Sequence, residues 1–352
     1  MNFELSINIG NFLIDKQIKN TGLFHGNAGI AIFYYNLAKR TLNQNYQKHA
    51  NLLIEEIYKT FNNDTNLEDG IAGIGWCIEY LIQYKLCKGN TNEILKDIDA
   101  RIFNLLNESN DIQFNLQKGI IGYLQYILMR LKNKKDYKNA KTQILIELLK
   151  HIINKIDLVA PLHFIDITKD IRFNLLDNTY VLLWSFFEAF KLNIYNDKII
   201  NMLKQWETYL LSYIPSLNIN RLYMATILLQ INKLLKSEKI SKHINVLLYS
   251  IDINSLRIEI DLQKVNNIQL GYLGFLFVLQ MSIIIFDSTF PNYKELIDFK
   301  RNITALNKNK LFDELYKEEK VPDKYIFDRQ YGLAEGWAGV GLLLLLFPNI
   351  LE

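Results

Sequence analysis

Six ionisable residues share one recurrent slot. His25, Asp69, Lys118, Asp177, Arg221 and Glu335 each stand one place ahead of a Gly-x-x-Gly or its degenerate copy, and Leu270 fills the remaining slot. If a helix starts at each of these places, its free N–H groups and positive dipole end favour the carboxylates of Asp69, Asp177 and Glu335. Two readings follow: helix capping with mutual salt bridging, or a polar mouth that grips a peptide or small ligand. Glu79 and Glu188 are carboxylates inside otherwise apolar segments. Such groups are paired or line a wet cavity, and as a pair they could do acid/base work. His25, with Phe24 beside it, is either a structural imidazole or a base. Cys77 is either a small core residue or a nucleophile, which would need a nearby base. Trp76, Trp184 and Trp337 are core or line a cavity. His25, Glu79 and Glu188 are the catalytic candidates.

The rest of the composition narrows the classes. Lys plus Arg number 40 against 37 Asp plus Glu, a net charge of +3. That balance lacks the clustered basic excess of a nucleic-acid footprint. The run Lys132, Lys134, Lys135 and Lys138 reads as a solvated face. Cys77 and Cys87 form no Cys-x-x-Cys or Cys/His metal spacing and no disulfide framework, so the reading is metal-free and fits a reducing, cytoplasmic compartment. The N-terminus lacks the basic and apolar regions of a secretory signal. The most apolar run, residues 271–286, falls short of the ~20 residues that cross a bilayer.

Behind the slot lies a repeat. GLFHGNAGIAIFYY (22–35), DGIAGIGWCIEYL (69–81), KGIIGYLQYIL (118–128), LGYLGFLFVLQ (270–280) and AEGWAGVGLLLL (334–345) each join Gly-x-x-Gly to an apolar helix. DNTYVLLWSFFEAF (177–190) and RLYMATILLQ (221–230) fit the gaps as weaker copies. On the second glycine the register is Gly29, Gly73, Gly122, Val181, Ala225, Gly274 and Gly339, spaced 44, 49, 59, 44, 49 and 65. Each interval is long enough for two helices and their turns. The Gly-marked helices are apolar nearly all round and are expected to be buried; those between them are amphipathic and are expected outside. Asn90 with Glu93 predicts a helix start. Residues 162–167 and 256–262 are expected as short extended pieces. A helix near Phe3–Gln17 would complete seven inner and seven outer helices. A hairpin cannot bury its own apolar face, whereas a closed ring can.

This pattern resembles the lanthionine synthetase C-like family, through FHGNAGIA (24–31), DGIAGIGW (69–76) and EGWAGVGL (335–342) above all. The resemblance implies an all-α, α/α toroid forming a single domain over 1–352, working in peptide maturation with a precursor peptide or a peptide-modifying enzyme as partner. Catalytic members are zinc cyclases, with one thiolate from the fifth copy and a Cys-His pair before the sixth. Here the pair aligns with Gln269 and Leu270, and the fifth-copy cysteine aligns near Asn220. The resemblance therefore implies the fold and a peptide-related context without zinc or another cofactor. The other readings are an enzyme with zinc-independent chemistry and a carbohydrate-active α/α barrel using Glu79 and Glu188.

Overall fold

A computed structural model describes residues 2–60, 64–108, 112–134, 136–164, 172–262, 266–286, 293–318 and 328–351. The helices are α1 (Asn2–Leu13), α2 (Asn27–Thr41), α3 (Gln44–Thr60), α4 (Ile71–Gln83), α5 (Thr91–Ile94), α6 (Lys96–Glu108), α7 (Ile120–Leu131) and α8 (Ala140–Phe164). There follow α9 (Asn178–Lys191), α10 (Asn196–Ser212), α11 (Asn218–Leu235), α12 (Glu238–Tyr249), α13 (Ile253–Asp261), α14 (Tyr272–Ile285), α15 (Tyr293–Glu318) and α16 (Trp337–Leu346). No strand occurs among the described residues.

The chain divides into two compact units. The first holds Met1–Ile152 and Lys308–Leu351; the second is centred on Ile153–Asn307. In the first unit the Gly-marked helices are buried on every side: α2 buries Asn27 through Ala38 without a break, and α7 buries nearly all of its length. The amphipathic α3 buries only Tyr46, Ala50, Leu53 and Ile57, a stripe at helical spacing that faces α2. α1 packs on α16 and α2, with the Tyr34 hydroxyl donating to the Gly10 carbonyl at 2.7 Å. In the second unit α10 and α12 bury similar stripes against α11, including Trp206 and His243.

The glycines are explained by close approach. Their backbones are extended or helical, and no described glycine has a positive φ. A Cβ on Gly73 would lie 2.1 Å from the Leu67 carbonyl oxygen and 2.9 Å from Leu23 Cβ. On Gly122 it would lie 2.3 Å from the Leu116 carbonyl oxygen and 2.9 Å from Leu67 Cβ. Each loop thus folds back over its own helix start and wedges a leucine against the glycine of the next copy.

Three expectations are corrected. Residues 256–262 are helical, in and just after α13, because Asp252 caps that helix by accepting from Asn254 and Ser255 N–H. Residues 162–164 end α8, and the rest of that stretch lies outside the described residues. The helix of the fifth copy starts early. It begins at Asn218, which places Ala225 eighth and Arg221 fourth, whereas Gly29, Gly73, Gly122, Gly274 and Gly339 are all third. The cause is Glu259 on α13. Its carboxylate accepts from Asn218 N–H, Asn218 Nδ2 and Ile219 N–H at 2.8–3.0 Å, capping α11 a turn early. In the basic run, Lys134 donates to Thr91 and Asn92, and Lys135 lies outside the described residues.

Candidate functional site at the glycine-marked helix starts

In the first unit the loops before four Gly-marked helices lie side by side. Leu333 and Ala334 N–H donate to the Phe24 carbonyl at 2.8 and 3.0 Å. Leu23 and Phe24 N–H donate to the Glu68 carbonyl at 2.9 and 3.1 Å, and Leu67 and Glu68 N–H to the Gln117 carbonyl at 3.1 and 3.0 Å. One carbonyl thus receives two N–H groups at every step. The shelf brings His25, Asp69, Lys118 and Glu335 together at the same end of their helices.

His25 is buried, and its Nε2 lies 3.1 Å from Glu68 Oε1. Its Nδ1 is buried without a hydrogen-bond partner among the described residues. The His25 hydrogen bond holds the Glu68 carboxyl below its usual range, aided by the charges of Lys118 and Arg329 and opposed by burial. Asp69 accepts from Asn20 Nδ2 at 2.8 Å. Glu335 lies 3.9 Å from Arg329. Lys118 is exposed. The shelf is therefore polar and of mixed sign, with an imidazole–carboxylate pair beneath it. Glu68 was not among the sequence candidates. The signal that could have found it is its place beside Asp69, one residue further from the glycine.

A second repeat, of asparagine, was also missed. Asn66, Asn115, Asn174 and Asn267 each stand seven before the register residue of their copy. Each turns its side-chain oxygen onto backbone N–H groups of its own loop: Asp69 and Gly70, Lys118, Leu176, and Leu270, respectively. These local side-chain-to-backbone bonds fix the chain just ahead of the helix entrance.

In the second unit Asp177 is the N-cap of α9, accepting from Thr179 N–H at 2.9 Å. Burial pushes its carboxyl up, against the lowering effect of that cap. Arg221 is spent on structure. It donates to the carbonyls of Pro215, Ser216 and Ser250 at 2.7–3.3 Å. Leu175 N–H donates to the Gln269 carbonyl at 2.8 Å, joining the loops before α9 and α14.

The remaining candidates lie further along their helices, where Glu79 and Cys77 are buried and Glu188 and Trp184 only half-buried. Glu79 is buried and receives a hydrogen bond from Arg130, which also clasps Asp99 through Nε and Nη2 at 3.1 and 2.7 Å. Glu188 pairs with Lys191 at 2.6 Å. Both carboxylates are thus engaged by cations of their own or a neighbouring helix. Cys77 is fully buried, donates to the Ala28 carbonyl at 3.2 Å, and has its thiol pushed far up by burial. Trp76 stacks on Tyr80 with centroids 5.5 Å apart, Trp184 meets Phe187, and Trp337 is buried. Among the described residues no group of three or more His, Cys, Asp or Glu is placed to hold a metal, and no helix is long and apolar enough to cross a membrane.

Comparison with known proteins supplies the frame. Residues 17–166 match the family described as lanthionine synthetase C-like protein. No curated protein matches by sequence. Among solved structures the chain is similar to one titled nisin cyclase, with a TM-score of 0.62 and 14% identity, over 98% of this chain and 93% of that one. The fold class is the all-helical α/α toroid implied by the repeat. The sequence likeness to the lanthionine synthetase C-like family thus covers residues 17–166, and the likeness in fold to that cyclase structure extends over nearly the whole chain.

Proposed function

We propose that the protein acts in peptide modification as a zinc-independent, peptide-binding member of the lanthionine synthetase C-like family. What supports the reading is the chemistry of Asn220, Gln269 and Leu270, which the resemblance aligns with the zinc-ligand positions of catalytic members. Asn220 is fully buried, with Nδ2 donating to the Arg172 carbonyl at 3.1 Å. Gln269 offers an amide and Leu270 an apolar side chain. Zinc in proteins takes thiolate, imidazole and carboxylate, so this donor set does not fit the metal. The shelf of Asp69, Lys118 and Glu335 remains as a surface of mixed charge suited to a peptide backbone and its polar side chains, with Trp76 deeper in the same unit. A precursor peptide, or an enzyme carrying one, is the partner. A cytoplasmic location belongs to the same proposal and rests on two free thiols, Cys77 and Cys87.

The test separates binding from cyclisation. A synthetic peptide with one dehydroalanine and one cysteine is mixed with the protein, with and without added zinc. Binding is read by fluorescence anisotropy and thioether formation by loss of alkylatable thiol. The expected result is saturable binding, weakened by Asp69→Lys and Glu335→Lys, with thiol loss at the rate of the protein-free control. Zinc-dependent thiol loss above that control overturns the proposal.

One observation favours a second reading. His25, oriented by Glu68 and with its other nitrogen unpartnered, has the form of a positioned base. Zinc-independent thiol loss that disappears in His25→Asn would replace the binding reading with catalysis at that imidazole.

A further inference from the structure

The same helices have a second end. Where α2, α4 and α16 finish, three depressions adjoin one another. One, of about 660 Å³, is lined by Asn36, Lys39, Arg40, Tyr80, Tyr84 and the segment from Leu345 to Pro348. A second shares Arg40, Leu345 and Pro348 with it and reaches Phe3. A third shares Lys39 and reaches Leu42 and Lys85. α2 has 15 residues, and at about 1.5 Å per residue this end lies about 20 Å from the His25 shelf.

Two properties of this end are not needed by the fold. Large apolar side chains stand in water: Leu42 is 87% exposed, Leu346 48%, Tyr84 43% and Phe3 43%. Lys39, Arg40 and Lys85 are exposed beside them, and no carboxylate lines any of the three depressions among the described residues. Lys39 donates to the Tyr84 carbonyl at 3.3 Å, whereas Arg40 and Lys85 have no ion pair among the described residues. Cations in the last turn of α2 answer its dipole. That accounts for neither Lys85, in a left-handed turn beyond α4, nor the exposed apolar side chains. Below them the floor is firm: Asn36 Nδ2 donates to the Ile32 carbonyl at 2.8 Å and to the Tyr80 hydroxyl at 3.4 Å, and Tyr80 stacks on Trp76.

We infer that this end is a second docking site, whose occupant is an acidic amphipathic peptide segment: aliphatic or aromatic side chains spaced between carboxylates. The apolar side chains would enter between Tyr84, Leu346 and Phe347, and the carboxylates would meet Arg40, Lys39 and Lys85. A peptide fits better than an anionic bilayer. The surface is concave, and three cations fall below the clusters of about four to eight that mark lipid-binding segments. The site is separate from the shelf, so it stands whether or not the shelf binds peptide.

The test uses the full chain and a fluorescein-labelled twelve-residue peptide of repeated Glu-Leu-Asp-Phe, followed by anisotropy. Arg40 and Tyr84 are exposed, so Arg40→Glu and Tyr84→Ala are expected to keep the wild-type circular dichroism and melting profile. Saturable binding is expected, weakened at least about tenfold by Arg40→Glu, equivalent to about 1.4 kcal/mol, weakened also by Tyr84→Ala and by salt, and unchanged by Lys118→Glu on the shelf. The proposal is overturned if the same peptide with lysine at its acidic positions binds equally, if Arg40→Glu has no effect, or if Lys118→Glu costs as much. It is overturned too if the protein sediments with phosphatidylglycerol vesicles while failing to bind the peptide.

Discussion

Arg130 on α7 donates to Glu79 on α4, and both side chains are almost wholly withdrawn from water, at 1% and 3% exposure. The guanidinium also holds Asp99 of α6, which in turn accepts from the Tyr126 hydroxyl at 2.6 Å. Asp99 and Glu79 keep Arg130 firmly charged despite its burial. One cation therefore ties two Gly-marked helices to the amphipathic helix between them. Removing it leaves Glu79 as an uncompensated buried charge. Arg130→Met is expected to lower unfolding stability in urea by about 3–5 kcal/mol, the cost of breaking a buried pair. Adding Glu79→Leu is expected to restore part of the loss, because the double variant no longer buries a lone carboxylate against α7. A double variant less stable than Arg130→Met would mean that Glu79 stabilises the unit without its partner.

Two glycines give a contrast in backbone approach. A methyl on Gly73 meets a carbonyl oxygen, which cannot withdraw without moving the loop. A methyl on Gly89 meets the ends of Ile82 and Ile94 at 2.8 and 2.9 Å, and both are flexible. Gly73→Ala is expected to cost at least about 1–3 kcal/mol, as overpacking does, and Gly89→Ala well under that. Thermal denaturation of the two proteins side by side decides it, and equal melting temperatures would remove close approach as the reason for the repeat.

The sequence carried the fold through periodicity and the Gly-x-x-Gly tags, since burial all round and close packing leave their mark on residue type. It placed Gly29, Gly73, Gly122, Gly274 and Gly339 at the starts of their helices, where each is the third residue. It missed the start of α11, because Glu259 caps that helix from 40 or more positions away, and a contact of that range leaves no local pattern. The slot residues were legible as a set, but their use was not. Arg221 binds backbone carbonyls and Asp177 caps α9, while Lys118 stays in water; all three look alike as ionisable residues before a helix. His25 was visible and Glu68 was not, because the pair forms across two loops 43 positions apart in the chain. Glu79 looked like a site carboxylate until Arg130, 51 positions on, was found beside it.

The His25–Glu68 pair has a signature in acid. The folded protein holds the Glu68 carboxyl below its usual value, chiefly through the His25 hydrogen bond. A carboxyl whose folded value lies below its unfolded value of about 4.3 adds stability above that pH and loses it as the pH falls through the folded value. From about pH 6 down to about pH 3, wild type is therefore expected to lose more urea resistance than Glu68→Gln, and the gap between them to narrow. A gap that stays constant over this range would mean that Glu68 contributes nothing through its charge.

Metal content gives the last prediction. If Asn220, Gln269 and Leu270 are what the ligand columns offer, the purified protein holds no stoichiometric zinc. The alternatives within the chain are poor. Cys77 is fully buried, and its thiol is pushed far from ionisation, whereas zinc takes the thiolate. Cys87 follows α4 on a loop, with its thiol also raised by burial. His25 has one imidazole nitrogen on Glu68 and the other buried. One histidine and one carboxylate fall short of the three protein ligands that even an open catalytic site needs. Elemental analysis of protein purified without a histidine tag or chelator is expected to find well under one zinc per chain. One zinc per chain, retained through dialysis and lost in His25→Ala, would overturn this reading and relocate the site to the shelf of the first unit.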